Sequence, residues 1–148
     1  MTDTPKPRVL ILCTGNSARS QMAEGILRSL GGERVEAYSA GTHPSSVNPL
    51  AVRVMQEIGI DISSQRSKSV MQFLKQSFDV VITVCDNAAE ECPVFPGRVE
   101  RIHWSFPDPA AVTGDEPRLA AFRTVRDGLI ARFRDFLRER NLSHEAIG

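Results

Sequence analysis

The sequence predicts an α/β protein: a three-layer sandwich with a four-stranded, mainly parallel sheet and helices on both faces. Three observations carry this. The runs "VLILC" (9–13) and "DVVITVC" (79–85) are continuously apolar, as in strands buried on both faces. Between the strand-like runs, apolar residues recur at helical spacing. Strands that alternate with helices need crossover connections, which set neighbouring strands parallel. The 148 residues suffice for one domain, 1–148, with an ordered core over about 8–140.

The elements follow in order. The first strand, 9–13, ends at a Gly/Asn/Ser cluster. From Ser20, Met22, Ala23, Ile26, Leu27 and Leu30 mark a helix that "GG" at 31–32 stops. "VEAYSAG" (35–41) alternates as a second strand, and a loop follows. Asn48 caps a helix with Pro49 in its first turn; it runs through about Glu57 and ends at Gly59. Residues 68–77 read as a shorter helix, 79–85 as the third strand, and 87–97 as a loop or short helix closed by prolines. "RVERIHW" (98–104) alternates as a fourth strand. The last helix starts near Pro117, carries Leu119, Phe122, Val125, Leu129, Phe133 and Phe136 on one face, and breaks near Asn141 before a frayed tail.

Lys plus Arg and Asp plus Glu both number 18, which argues against a nucleic-acid binder. No apolar run approaches the ~20 residues of a membrane span. The N-terminus lacks a secretory pattern, so a cytoplasmic protein is expected, with no membrane attachment. No apolar stripe is left over, so a monomer is expected. The three cysteines, Cys13, Cys85 and Cys92, are too few and too odd in number for a disulfide framework. Their spacing, and the scatter of His43, His103 and His144, do not suit zinc, and no metal is expected. Singly, each cysteine reads as a small buried hydrophobe. Cys13 and Cys85, however, both end buried strands, where ligands of parallel sheets bind.

Residues 13–19 read C-x5-R between a strand and a helix. Such a loop can turn successive N–H groups inward as an oxyanion nest, here Thr14, Gly15, Asn16, Ser17, Ala18, Arg19 and Ser20. Gly15 gives freedom for the tight turn. The planar fork of Arg19 can clamp two anion oxygens. In that field the Cys13 thiolate is favoured, with a pKa below the ~8.5 of a free cysteine, and Ser17 or Ser20 can donate to it. A thiolate beneath a tetrahedral oxyanion is placed for in-line attack on its central atom.

The loop "CTGNSARSQMAEG", the strand "YSAG" and Asp108-Pro109 together resemble the low-molecular-weight protein tyrosine phosphatase fold family. They are closer to one branch, the thioredoxin-coupled arsenate reductases. "VITVCDNAAEECP" and "HWSFPDPA" are similar to that branch's redox segment and aspartate loop, and the likeness runs from about Arg8 to Arg134. It implies Cys13 as nucleophile, Arg19 as oxyanion clamp and Asp108 as the acid for the first leaving group. It implies that Cys85 attacks the Cys13–arsenate adduct, that arsenite leaves, and that Cys92 then takes over Cys85 in a disulfide displayed for thioredoxin. No tightly bound cofactor is implied, and phosphate or sulfate would act as analogues.

Two departures stand out. Ala18 replaces a second loop cysteine that this relay does not need. Some members bind potassium beside the loop. Asn16, Glu24 and Ser39 match three of those ligands, but Lys68 stands at the fourth position, an Asp in the family. A lysine ammonium in the cation's place implies activity that does not depend on potassium.

Polar "DNAAEE" between Cys85 and Cys92 suits rearrangement. Two helical turns would hold these cysteines ~10 Å apart, beyond the ~7 Å Cα limit of a disulfide, so a helical segment must unwind on oxidation. His103 reads as a packed or partly exposed histidine, Trp104 as a packing residue, and the arginines at 118, 123, 126, 132, 134, 138 and 140 as a solvated face. Three functions remain open: a reductase drawing on thioredoxin or glutaredoxin and glutathione, a phosphatase on phosphotyrosine or another phosphomonoester, and a redox sensor. The Cys85/Cys92 pair separates them, because a phosphatase needs neither thiol.

Overall fold

In a computed structural model the described residues are 6–142. The chain runs β1 (Arg8–Cys13), α1 (Arg19–Gly31), β2 (Glu36–Gly41), α2 (Pro49–Gln56), β3 (Val80–Thr83), α3 (Asp86–Glu90), β4 (Glu100–His103) and α4 (Asp115–Glu139). The strands lie in the order β2-β1-β3-β4, and every pair is parallel. Because β1 is followed outward on one side and the chain then returns to its other side, the order reverses between β1 and β3. A crevice opens at their C-terminal ends, where Cys13 closes β1 and Cys85 follows β3.

Val9, Leu10, Ile11 and Leu12 have no exposed surface, as the apolar run requires of a strand covered on both faces. α1 packs on α2 and α4, and one contiguous core joins these helices to the sheet. Phe122 and Phe133 of α4 are fully buried, and Trp104 stacks edge-on to Phe133 and Phe136. Trp104 is thus a packing residue. Tyr38, Phe73, Phe78 and Phe95 form a second chain of tilted and edge-on rings.

Several expectations are corrected. The helix over 68–77 is only a 3₁₀ turn, Val70–Phe73, capped by the Ser69 hydroxyl. Its first residues are committed elsewhere: Lys68 N–H donates to Asn16, Gly41 N–H donates to the Lys68 carbonyl, and Ser69 bridges Gly41. These bonds extend the edge of the sheet and leave helical hydrogen bonds unmade. α4 begins at Asp115, ahead of Pro117, because Pro is at home in a first turn where no N–H partner is needed. The third and fourth strands are shorter than the 79–85 and 98–104 runs. The tail beyond 142 lies outside the described residues. Among the described residues no helix is long and apolar enough to cross a membrane.

Candidate active site

The segment after β1 forms the loop. The left-handed residue is Asn16, φ 47°, and not Gly15. Asn tolerates that region, and its amide then ties the loop together. Nδ2 donates to Ser20 Oγ at 2.8 Å and Ser39 Oγ at 3.0 Å, while Oδ1 accepts from Gln21 Nε2 at 2.9 Å and Lys68 N at 2.8 Å. Gly15 instead provides room, since a Cβ there would lie 3.2 Å from Ser45 Oγ. Gly41 is required more strictly: a Cβ would come within 2.5 Å of the Thr14 carbonyl oxygen.

α1 starts at Arg19 with no side-chain cap on its first N–H groups, which leaves the positive end of a thirteen-residue helix for an anion. Cys13, Thr14, Gly15, Ser17, Arg19 and Asp108 line a cleft of about 250 Å³ over this end. Arg19 Nη1 donates to the Phe106 carbonyl at 2.9 Å, tying the guanidinium to the Asp108 loop. Asp108 Oδ1 accepts from Ala110 N at 3.0 Å, so the carboxylate is fixed by its own turn at the cleft. Asp108, separated from Cys13 by 95 positions in sequence, therefore shares its cavity.

Cys13 and Cys85 are buried, Cys92 is half-buried, and all three are free thiols. Cys85 is the N-cap residue of α3, with no cap bond from its side chain, and it lies at the end of the strand beside that of Cys13. The hydrogen bond to Cys85, then burial, push the Cys13 thiol up, with Arg19 opposing. The bond from Cys13 holds Cys85 down at about 5, helped by the Thr14 hydroxyl 3.3 Å away. This corrects the expectation of a lowered Cys13: the opposed shifts are those of two thiols that share one proton, and Cys85 is the one held down. The expected Ser17 or Ser20 donor is also absent among the described residues. Ser20 Oγ takes the Asn16 amide, and the hydroxyl at the sulfur pair is Thr14, itself bonded by Asn87 Nδ2 at 3.3 Å.

Glu24, 4% exposed, receives Ser39 Oγ at 2.5 Å, Arg28 Nη2 at 2.9 Å and Lys68 Nζ at 3.4 Å. Asn16, Glu24 and Ser39 do converge, but the ammonium already neutralises the carboxylate and the Asn16 oxygen is spent. These donors do not fit a metal cation. No cluster of three or more His, Cys, Asp or Glu side chains suited to a metal occurs among the described residues.

Sequence reasoning passed over Gln21, Gln65 and Ser67, which brace the loop through Gln65 Nε2–Gln21 Oε1 (2.7 Å) and Ser67 Oγ–Gly15 O (2.9 Å). It also passed over Arg101, which bonds Cys92. Such polar braces carry no periodicity by which to find them. His103 is more connected than expected, accepting or donating at Thr83 Oγ1 (2.7 Å) and Asp86 Oδ1 (2.9 Å).

Residues 8–146 match the family described as low molecular weight phosphotyrosine protein phosphatase. The chain belongs to that family. Within it, an arsenate reductase of Halalkalibacterium halodurans is 49% identical over 132 residues, 88% of this chain and 95% of the relative. A solved arsenate reductase in its oxidized state superposes with a TM-score of 0.75 at 34% identity, covering 89% of this chain and 97% of the other. A thioredoxin-dependent arsenate reductase of Corynebacterium glutamicum gives 0.71 at 27% identity, with 97% of this chain on 66% of that one.

Proposed function

We propose that this chain is a single-domain arsenate reductase that uses Cys13, Cys85 and Cys92 in sequence and is re-reduced by thioredoxin. The observation that carries the reading is the second thiol: Cys85 follows the strand beside β1, and its sulfur lies 3.3 Å from the hydroxyl of Thr14, the residue after Cys13, where hydrolysis of a phosphoryl adduct would need only water. The named reductases of the family support the same reading.

Arsenate sits in the nest of Thr14–Ser20, its oxygens held by backbone N–H groups and the Arg19 fork. The Cys13 proton passes to an oxygen of the arsenate anion, and Cys85 stays a thiolate. The Cys13 sulfur forms a bond to arsenic, and one oxygen leaves as water with a proton from Asp108. The Cys85 thiolate, relayed by Thr14, then attacks the Cys13 sulfur. The S–As bond breaks with its electron pair on arsenic, which leaves as arsenite, and a Cys13–Cys85 disulfide remains. Cys92 attacks Cys85, releasing the Cys13 thiolate. Thioredoxin supplies two electrons to the Cys85–Cys92 disulfide. Asn16, Glu24 and Ser39 support the loop, and Lys68 supplies the positive charge there, without potassium. Free thiols must persist between turnovers, which supports a reducing compartment such as the cytoplasm. Only Met71 and Val94 are large exposed hydrophobics among the described residues, which supports a monomer.

The test is a coupled assay with arsenate, thioredoxin, thioredoxin reductase and NADPH. Wild type should turn over, and Cys13→Ser, Cys85→Ser and Cys92→Ser should each stop NADPH loss. Without thioredoxin, Cys92→Ser should still release about one arsenite per chain, and Cys85→Ser none. A wild type inert to arsenate that hydrolyses an aryl phosphate, with Cys13 alone essential, would overturn the reading in favour of a phosphatase.

A further inference from the structure

Cys92 follows the end of α3, and its sulfur does not lie free. Arg101 Nη1 donates to Cys92 Sγ at 3.0 Å, and Arg101 Nη2 donates to the Pro93 carbonyl at 3.1 Å. The same carbonyl lies 3.6 Å from Cys92 Sγ, where it can take the thiol proton. Arg101 belongs to β4, opposite Val81 of β3, so its backbone is anchored in the ladder. Ala89, Cys92, Arg101 and His103 share one cleft of about 190 Å³ beneath α3.

A guanidinium only donates, so the sulfur is the acceptor in this bond. A thiolate sulfur accepts it well, and a thiol sulfur accepts it weakly. A disulfide sulfur carries no charge and accepts poorly. The bond is also lost in space, because α3 stands between Cys85 and Cys92 and a disulfide needs their Cα atoms within ~7 Å. Cys85 is fixed at the end of the buried strand by Val84 N–H on the Leu12 carbonyl, so Cys92 is the residue that travels, away from Arg101. The contact therefore belongs to the reduced state alone.

We propose that Arg101 is a positioning residue that stabilises reduced Cys92 and so makes the Cys85–Cys92 disulfide easy for a dithiol reductant to open. The inference rests on the reading of Cys92 as the last thiol of the relay. A bond present only in the dithiol form shifts the dithiol/disulfide equilibrium towards the dithiol, which is how stabilising the reduced form makes a disulfide a stronger oxidant. The exchange balances: a reductant dithiol becomes a disulfide, its two electrons and two protons pass to Cys85 and Cys92, and no other group is consumed. Arg101 also marks the parking place to which Cys92 returns once reduced.

The experiment uses the full chain carrying Cys13→Ser, so that Cys85 and Cys92 form the one dithiol couple. It is equilibrated in dithiothreitol redox buffers, and the two forms are counted by mass after alkylation. Adding Arg101→Gln should move the equilibrium about tenfold towards the disulfide, a midpoint about 30 mV more negative. Arg101→Lys should recover part of the shift as a point charge. A midpoint for Arg101→Gln equal to or above that of the parent overturns the proposal. With Cys13 restored, Arg101→Gln should leave single-turnover arsenite release unchanged, since Cys92 acts after it. A slowed release overturns the proposal too, by showing that Arg101 shapes the anion site. If the wild-type chain, with Cys13 in place, releases no arsenite while the midpoint still shifts, the Arg101 effect stands and the reductase reading fails.

Discussion

At the sulfur pair one proton serves two thiols, and its position sets which of them is the ready nucleophile. Cys85 is the thiol held low, its pKa brought to about 5 by the bond from Cys13. A thiolate is what alkylating agents attack. Because the folded value lies far below the ordinary 9.0, Cys85 stays ionised as pH falls from 9 towards about 5 and is protonated only below that. In a Cys92→Ser chain, iodoacetamide should modify Cys85 at pH 6 within about twofold of its rate at pH 8. Replacing Cys13 with Ala removes the largest cause of the shift, so the pH 6 rate should fall to about a tenth of the pH 8 rate or lower. Peptide mass mapping at Cys85 reads this directly, and a steep fall with Cys13 still present would count against proton sharing. The proposed nucleophile, clamp and second thiol, Cys13, Arg19 and Cys85, stand out as residues in "CTGNSAR" and "VITVC". The sharing was not, because it depends on two side chains 72 positions apart meeting edge to edge.

Among the elements, α3 holds the conflict between secondary structure and chemistry. It spans only Asp86–Glu90, with Cys85 at its cap and Cys92 just past its end. A helix this short has little hydrogen bonding to lose, and of its residues only Ala88 is buried. His103 pins its first turn through Asp86, whose carboxyl it holds below the usual range, together with Ser105. Oxidation to Cys85–Cys92 should unwind α3. Amide exchange across 85–92 should quicken, and helical circular dichroism should drop slightly, relative to the reduced chain. Matching exchange in the two states would argue that the helix survives and the disulfide does not form as described. The sequence left 87–97 open between loop and short helix, which is fair for a segment whose length is marginal for either. The failed helix at 68–77 has a different cause. Its local pattern permitted a helix, but Lys68 and Ser69 were claimed by Asn16 and Gly41 from elsewhere in the chain.

For the whole molecule, the arginines of α4 divide into two sets. Arg132, Arg134 and Arg138 lie on the solvent side as expected. Arg123 and Arg126 do not: both grip Glu57 just past α2, and the nearly buried Arg126 also donates to the Val54 carbonyl at 2.8 Å. This cluster joins two helices that are distant in sequence. The hydrogen bond from Arg123 leads in holding the Glu57 carboxyl down at about 2, against an ordinary 4.5. A carboxyl with a lowered folded pKa contributes stability that is present above its unfolded value and lost as pH falls through the folded one. Wild type should therefore be more stable than Glu57→Gln at pH 7, and the gap in denaturation midpoint should narrow as pH is lowered from about 4.5 towards 2. A gap that stays constant over that window would show that the pair contributes through shape alone.

What the sequence by itself determined is what local rules carry. Apolar runs placed the buried strands, helical spacing placed α1, α2 and α4, and alternation of the two implied parallel pairing and a site at the strand ends. The C-x5-R loop then singled out Cys13 and Arg19 as the candidates for nucleophile and clamp. Tertiary structure alone decided how those parts serve one another. It put Asp108 in the cavity of Cys13 and set Cys85 against it. It seated Lys68 on Glu24, bound Cys92 to Arg101, and turned two surface arginines into a tie between helices. These contacts are made by side chains far apart in sequence, through single polar bonds whose partners leave no repeating pattern along the chain. Local preferences fix the direction of each segment, and only the packed core fixes which segments end side by side.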